Sequence, residues 1–225
     1  MTLKLYSKIK NNYNEGGISN VLRAGIRKVS YTFYHTNNAF WFRMDLRDKI
    51  KDIDHDGNIS LNIDDRDNSI EYIKNYGHYY PEEINVGLYA NHLYSNIMYN
   101  NKIIGYNKTG FSDLYIQDFK QIYKFNKNIA FTYDTFIDTA YRNRNYGSCL
   151  LRSVCNYLKQ KGFKSIWAHI PPWNKASEAM HKKIGFKKYT TISYYSVAGV
   201  SWMSKDPLKY IQYIENQISH NVKNM

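Results

Sequence analysis

Apolar positions change period along the chain, and the changes mark its elements. Ile129 to Ile137 alternate, which predicts a strand over residues 128–138. Leu150, Leu151, Val154, Cys155 and Leu158 then recur at three- and four-residue spacing, so a helix is predicted over 146–161. A strand at 164–170, a helix at 175–184 closed by Gly185, and two aromatic strand-like runs follow. Asp206-Pro207 opens a C-terminal amphipathic helix carrying Leu208, Ile211, Ile214 and Ile218. Upstream, residues 2–34 pattern as two helices broken at Gly16-Gly17, and 40–46 as an aromatic strand. A turn at Asp56-Gly57 leads into alternating Ile59, Leu61 and Ile63. Short helices are expected at 69–74 and, after Pro81, at 82–90; strands at 92–99 and 102–109 flank the polar turn Asn100-Asn101. Residues 111–127 read as an extra strand or loop. Strands and helices in this order make a mixed α/β domain.

Composition narrows the setting. No apolar run approaches the ~20 residues of a membrane span, and the N-terminus, with Lys4, Lys8 and Lys10, lacks an apolar signal core. Cytoplasmic residence is the expectation. Cys149 and Cys155 sit six apart on one predicted helix, unsuited to a disulfide or a metal site, and read as reduced helix-face thiols. Asp52-Ile-Asp54-His-Asp56-Gly57-Asn58 begins like a calcium loop, but Ile63 stands where the bidentate glutamate belongs. No metal site is expected.

The net charge is +12, and it is uneven: residues 128–225 hold 14 Lys/Arg against 5 Asp/Glu, whereas 1–127 hold 17 against 14. The basic half surrounds Tyr141-Arg142-Asn143-Arg144-Asn145-Tyr146-Gly147-Ser148, a short loop between a predicted strand and a predicted helix. The first amides of a helix have no intrahelical acceptors and carry partial positive charge, so they suit a diphosphate. Arg142 and Arg144 add full charges, and Gly147 permits close backbone approach. A phosphorylated cofactor is expected at this turn. Nucleic acid is not, since no basic helix interleaved with stacking aromatics and no helix-turn-helix pattern is present. The basic amphipathic segment 1–34 offers a surface for peripheral membrane contact, for packing on the main domain or for a homodimer.

The turn Arg142-Asn-Arg-Asn145-Tyr146-Gly147, taken with Asn174 through Gly185-Phe186, resembles the two motifs of the GNAT superfamily of acyl-CoA-dependent N-acyltransferases. The hairpin Asn101 to Tyr106 is similar to that family's third strand. One departure stands out: Asn145 replaces the first glycine of the family turn, and Asn is the non-glycine residue most at ease with positive φ. The resemblance implies a GNAT-like central twisted mixed sheet flanked by helices in residues 46–205. An N-terminal helical extension over 1–45 and a C-terminal helix over 206–225 would complete the chain. It implies acetyl-CoA as co-substrate, its diphosphate on the amides of Arg144, Asn145, Tyr146, Gly147 and Ser148. The pantetheine arm would lie along Phe136 and Ile137, with Asn174 and Ser177 on the other side. Asn174 reads equally as a helix N-cap.

The implied reaction is transfer of an acetyl group to a primary amine on a small molecule or peptide. An alkylammonium with pKa ~10 must lose a proton before attack, at a cost near ~4 kcal/mol at pH 7. His169, Asp134 and Tyr133 are the candidates for proton exchange with it, and strand alternation predicts that Tyr133 and Asp134 face opposite sides. His181 occupies the slot where relatives carry a tyrosine that protonates the leaving thiolate. Asp64, Asp65, Asp67, Glu71, Glu82 and Glu83 lie in the region expected to receive the amine. The competing expectation is a non-catalytic acyl-CoA-binding module docked on a membrane or partner through its N-terminal helices.

Overall fold

The computed structural model describes residues 34–55, 58–76, 92–111, 113–116, 121–198 and 200–223. The paired helices expected over 2–34 (all but its last residue), the Asp56-Gly57 turn and the helix expected over 82–90 lie outside the described residues. The chain divides into two compact units, residues 38–192 with 206–225 and residues 1–37 with 193–205.

The larger unit is built on one mixed sheet. Its strands are β1 (Tyr34–Asp45, from residue 38 on), β2 (Ile59–Ile63), β3 (His92–Tyr99), β4 (Lys102–Gly110), β7 (Ile129–Ile137), β8 (Ser165–Ile170) and the first half of β9 (Lys187–Val197). They lie in the order β9-β1-β8-β7-β4-β3-β2. β7 and β8 are parallel; β1 with β8, β4 with β7, β3 with β4 and β2 with β3 are antiparallel. The segment expected as an extra strand or loop forms a separate hairpin, β5 (Asp113–Ile116) with β6 (Gln121–Lys124). Among the described residues four α-helices accompany the strands: α1 (Arg66–Tyr76), α2 (Tyr146–Gln160), α3 (Lys175–Ile184) and α4 (Pro207–Lys223). This is the mixed α/β architecture that the hydrophobic periods predict.

β1 is longer than the aromatic run suggests. Phe40 to Asp45 pair with Ile170 to Ser165, so residues assigned from sequence to an extension ending at 45 are inner-sheet residues. The physical reason is burial on both faces: Ala39, Trp41 and Phe42 are all at 1% exposure or less.

One face of the sheet packs on α2 and α3. Phe42, Met44, Ala130, Ile166, Ala168 and Ile170 meet Leu151, Val154, Cys155 and Leu158 of α2 and Ile184 of α3. Both cysteines are reduced and buried there, and burial pushes the Cys155 thiol pKa up. Elsewhere Tyr94 and Tyr106 pack with Tyr72 and Ile73 of α1. α4 is anchored through Glu215, which accepts from Arg43 Nε at 2.8 Å, Ser165 Oγ at 2.6 Å and Trp167 Nε1 at 2.8 Å. Arg43 also contacts Asp45; burial alone would raise the Asp45 pKa, but Arg47 and Arg43 outweigh it and hold it at about 2.

The loop after β1 is laced to α2. Lys159 Nζ donates to the Asp48 carbonyl at 2.9 Å, Arg152 pairs with Asp52, and Asn145 Nδ2 donates to the Asp54 carbonyl at 3.4 Å. In the smaller unit, β10 (Val200–Met203) pairs antiparallel with the end of β9, and Tyr195 stacks on Trp202 at 5.5 Å.

Candidate active site

The parallel pairing of β7 with β8 runs from Ile129↔Ser165 to Thr132↔Ala168 and stops. β7 continues to Ile137, laddered to β4 alone as far as Gly105↔Ile137. The two strands therefore part after Thr132 and Ala168. Backbone donors and acceptors require partners, so the freed edge of residues 133–137 suits an extended ligand that pairs like a strand.

That edge leads into the basic turn. Asp138 caps a single 3₁₀ turn, Thr139–Tyr141, by accepting from Ala140 N. Arg142 turns back: its Nε donates to the Ile137 carbonyl at 2.8 Å and its guanidinium lies 5.6 Å from the Phe136 ring centre. Arg142 thus buckles the turn to the end of β7, and Arg144 is exposed beside it. Asn143 and Asn145 take φ of 65° and 64°. A β-branched residue would be strained at either position, whereas Asn tolerates it.

α2 begins at Tyr146, and its first internal hydrogen bond is Cys149 N to Asn145 O at 2.9 Å. The amides of Tyr146, Gly147 and Ser148 precede that bond, where a helix presents donors and positive partial charge. Gly147 has a packing reason as well: a Cβ there would lie 2.8 Å from Met180 Sδ. The Asn145 side chain accepts from Lys183 Nζ at 2.7 Å, which brings a cation from α3 to the turn.

α3 supplies the other candidates. Asn174 is its N-cap, accepting from Ser177 N at 3.1 Å, and Gly185 closes it at φ 118°. Ser177 gives its carbonyl to His181 Nδ1 at 2.8 Å. A carbonyl only accepts, so Nδ1 carries the proton and Nε2, which is buried with no hydrogen-bond partner, bears the lone pair. Burial pulls the His181 pKa down to about 4; the Ser177 carbonyl opposes this weakly and nearby His169 adds to it. His169 itself stacks on Phe131 at 5.7 Å and lies 6.1 Å from Trp41, on the first β8 residue past the last parallel pair.

The expectation that Tyr133 and Asp134 face apart is corrected by a bulge. Thr109 pairs with Thr132 and Lys108 with Asp134, so Tyr133 is the extra residue on β7. Both side chains consequently approach one ammonium: Lys108 Nζ is 3.1 Å from Asp134 Oδ2 and 5.7 Å from the Tyr133 ring centre. Asp134 Oδ2 also accepts from Tyr106 OH at 3.0 Å, and Tyr133 OH meets His92 Nδ1 at 2.8 Å.

His92, Tyr106, Lys108 and Lys183 are absent from the sequence-derived site. Lys108 had one available signal, since it shares a strand face with Tyr106. Nothing separates Lys183 from Lys182, which pairs with Glu178 at 2.7 Å. Of the acidic residues, Asp64 accepts from Tyr157 OH and Asp65 from Asn96, so these two hold structure together. Among the described residues no group of His, Cys, Asp and Glu is arranged to hold a metal ion. No described helix is long and apolar enough to cross a membrane.

The sequence resemblance implied a GNAT-like mixed sheet flanked by helices, and comparison with known proteins agrees. The chain matches the acetyltransferase (GNAT) family over residues 61–186, more than half its length, and belongs to that family. It is similar to a GCN5-related N-acetyltransferase from Sphaerobacter thermophilus, at 9% identity and TM-score 0.53 over 82% of this chain and 58% of that one. It is also similar to a tandem GNAT protein from the clavulanic acid biosynthesis pathway, at 13% identity and TM-score 0.51 over 74% and 55%. A Drosophila protein aligns at 14% identity and TM-score 0.51 over 81% and 59%. At these identities the likeness is one of fold, and the chain spans less than three fifths of each of these proteins. No curated protein matches the chain.

Proposed function

We propose that the protein is a cytoplasmic N-acetyltransferase that moves an acetyl group from acetyl-CoA directly to a primary amine on a small molecule or peptide. The observation that carries this reading is the continuity of the open β7 edge with the first amides of α2. Residues 133–137 have lost β8 as a neighbour, and Tyr146 to Ser148 follow within one short turn. An extended, amide-bearing arm ending in a diphosphate matches that sequence of backbone donors.

The residues fit such a co-substrate. Phe136 and Ile137 would pair with the pantetheine amides, and Arg144, Asn145, Tyr146, Gly147 and Ser148 would cradle the diphosphate. Arg142 would hold the turn in place, and Lys183 would add charge that the sequence reading did not assign. Asn174 and Ser177 would line the arm from α3. Backbone amides of β7 would stabilise negative charge on the thioester oxygen during attack. His181, kept neutral by burial, would line the sulfur end and accept a hydrogen bond through Nε2; donating a proton from that atom is disfavoured at pH 7. Tyr133, Asp134 and His169 remain the candidates for proton exchange with the amine.

The test is thiol release from acetyl-CoA across polyamines, amino sugars, amino acids and peptides with free N-termini, beside thermal melting with acetyl-CoA. Stabilisation together with thiol release for one amine class is expected. No stabilisation by any CoA thioester would overturn the assignment. A second reading, a non-catalytic acyl-CoA-binding module, draws on one observation: Asp134 Oδ2 is already held by Lys108 and Tyr106. Stabilisation without turnover on every amine would favour it.

A further inference from the structure

The β9–β10 hairpin of the smaller unit turns an apolar face outward. Val197 pairs with Val200 and Tyr195 with Trp202, and alternate rungs of an antiparallel pair share a face. On that face Val197, Val200 and Trp202 are 39%, 67% and 49% exposed, and Tyr195 stacks on Trp202. The serine rung lies on the other face and is satisfied there. Tyr194 OH donates to Ser201 Oγ at 2.8 Å, and Ser201 Oγ donates to Ser196 Oγ at 3.1 Å. A hairpin with one face in water ordinarily shows its polar side to the solvent. Here the order is reversed.

The turn departs from the usual pattern in the same direction. Two residues, Ala198-Gly199, join Val197 to Val200, and Ala198 has φ of 48°. The chain closes its β3–β4 hairpin with Asn100-Asn101, at φ of 48° and 61°. Asparagine takes such a φ with less strain than alanine and gives the tip a polar side chain. At position 198 the strain is tolerated and the tip stays apolar. The surrounding stretch 189–204 carries no charged side chain at all. Solvation and turn chemistry both yield to apolar exposure, which marks a face with a partner.

Charge says which partner. The smaller unit, residues 1–37 with 193–205, holds seven Lys/Arg against one Asp/Glu. We propose that this hairpin inserts its tip into the surface of an anionic lipid bilayer. Trp and Tyr side chains favour the headgroup level of a membrane, which suits the stacked Tyr195–Trp202 rung. At about 3.3 Å per residue, the Val197–Val200 rung lies ~7 Å beyond it along the strands, the depth of the headgroup–acyl boundary. The apolar tip supplies burial, and the basic charge of the same unit supplies attraction to anionic headgroups. β10 is only four residues long, so the hairpin dips into one leaflet and does not span. This contact is independent of acetyl transfer.

The full chain should sediment with vesicles of equal parts phosphatidylserine and phosphatidylcholine, and far less with phosphatidylcholine alone. The bound fraction should fall as salt is added. In a Trp173→Phe background Trp202 is the one exposed tryptophan, since Trp41 and Trp167 are buried. Its emission should shift to the blue on anionic vesicles and be quenched by lipids brominated on the acyl chain. Val200→Asp should lower the vesicle partition coefficient by about tenfold or more. Ala198→Asn should lower it by about threefold while the melting temperature holds or rises, which separates lost binding from lost folding. Partitioning equal to wild type in both variants would overturn insertion by the hairpin, and so would equal binding to neutral and anionic vesicles. Absence of vesicle binding would overturn it as well. If that absence came with a concentration-dependent dimer that Val200→Asp dissociates, the face would belong to a second copy instead.

Discussion

Lys183 Nζ reaches Asn145 Oδ1 at 2.7 Å, tying the last turn of α3 to the residue that starts α2. The same amide donates to the Asp54 carbonyl at 3.4 Å, so Asn145 joins three segments while holding φ at 64°. A glycine would take that φ without strain but would lose both contacts. Strain relief of ~1 kcal/mol roughly offsets two exposed hydrogen bonds of ~0.5 kcal/mol each. Asn145→Gly should therefore leave the melting temperature nearly unchanged. Asn145→Val, branched at positive φ, should lower stability by ~2 kcal/mol. Urea unfolding of the two variants measures the difference.

Lys183→Met keeps the length of the side chain and removes its charge. If that charge serves the diphosphate, the Kd for coenzyme A rises by about fivefold, roughly 1 kcal/mol. The effect shrinks with added salt, while kcat at saturating acetyl-CoA is unchanged. Calorimetric titration at two salt concentrations reads both; equal affinities would show that Lys183 only braces the turn.

Gly105 lies opposite Ile137, and a Cβ there would sit 2.5 Å from the Phe136 carbonyl oxygen and 2.6 Å from Ile137 Cδ1. The first of these is backbone, which yields only by moving β7. Gly105→Ala should cost ~1–3 kcal/mol and also weaken coenzyme A binding, because the displaced strand edge is the one assigned to pantetheine. Loss of stability with unchanged affinity would detach that edge from the ligand.

These residues also mark how far the sequence could be read. The hairpin at Asn100-Asn101 has φ of 48° and 61°, as two adjacent asparagines between alternating runs predict. α3 matches its predicted span, and the three-to-four spacing gave α2 to within a residue. What escaped was long-range. Tyr34 to Asn38 lack apolar periodicity, so the early part of β1 was not visible. The bulge at Tyr133 is a property of the pairing with β4, and alternation along β7 carries no trace of it. His92 and Tyr133, 41 positions apart, meet only because β3, β4 and β7 are neighbours. The asparagine in the glycine slot was legible as a tolerable φ, but its two tethers were not.

Glu215 accepts from Arg43, Ser165 and Trp167 at once, and Arg43 is 3% exposed. Arg43 lowers the Glu215 pKa against the opposing effect of burial. Glu215→Gln keeps the shape but leaves the buried guanidinium short of charge. Breaking a fully buried pair costs ~3–5 kcal/mol; partial solvent access at Glu215 and the remaining Asp45 contact reduce the expected loss to ~2 kcal/mol. The melting temperature should fall by several degrees, and coenzyme A affinity below the transition should hold. A melting temperature equal to wild type would mean that α4 is not anchored by this contact.

His181 sets an acid limb of stability distinct from that of the carboxylates. Its ordinary value is 6.5 and burial brings it to about 4 in the folded protein. Between those values the unfolded chain binds the proton that the folded one refuses, so stability rises with pH across that window and is lost as pH falls through it. A shift of this size is worth roughly 3 kcal/mol in full, of which ~2 kcal/mol is gone by pH 5. Asp45, held at about 2 in the folded protein, keeps its stabilising contribution above its ordinary 3.8 and loses it only as pH falls below that value, so the two limbs do not overlap. Urea unfolding of wild type at pH 7 and pH 5 should differ by about 2 kcal/mol. In His181→Phe the difference should largely disappear, since the phenylalanine ring fills the space against Phe186 without titrating. An undiminished pH dependence in that variant would assign the acid sensitivity to another group.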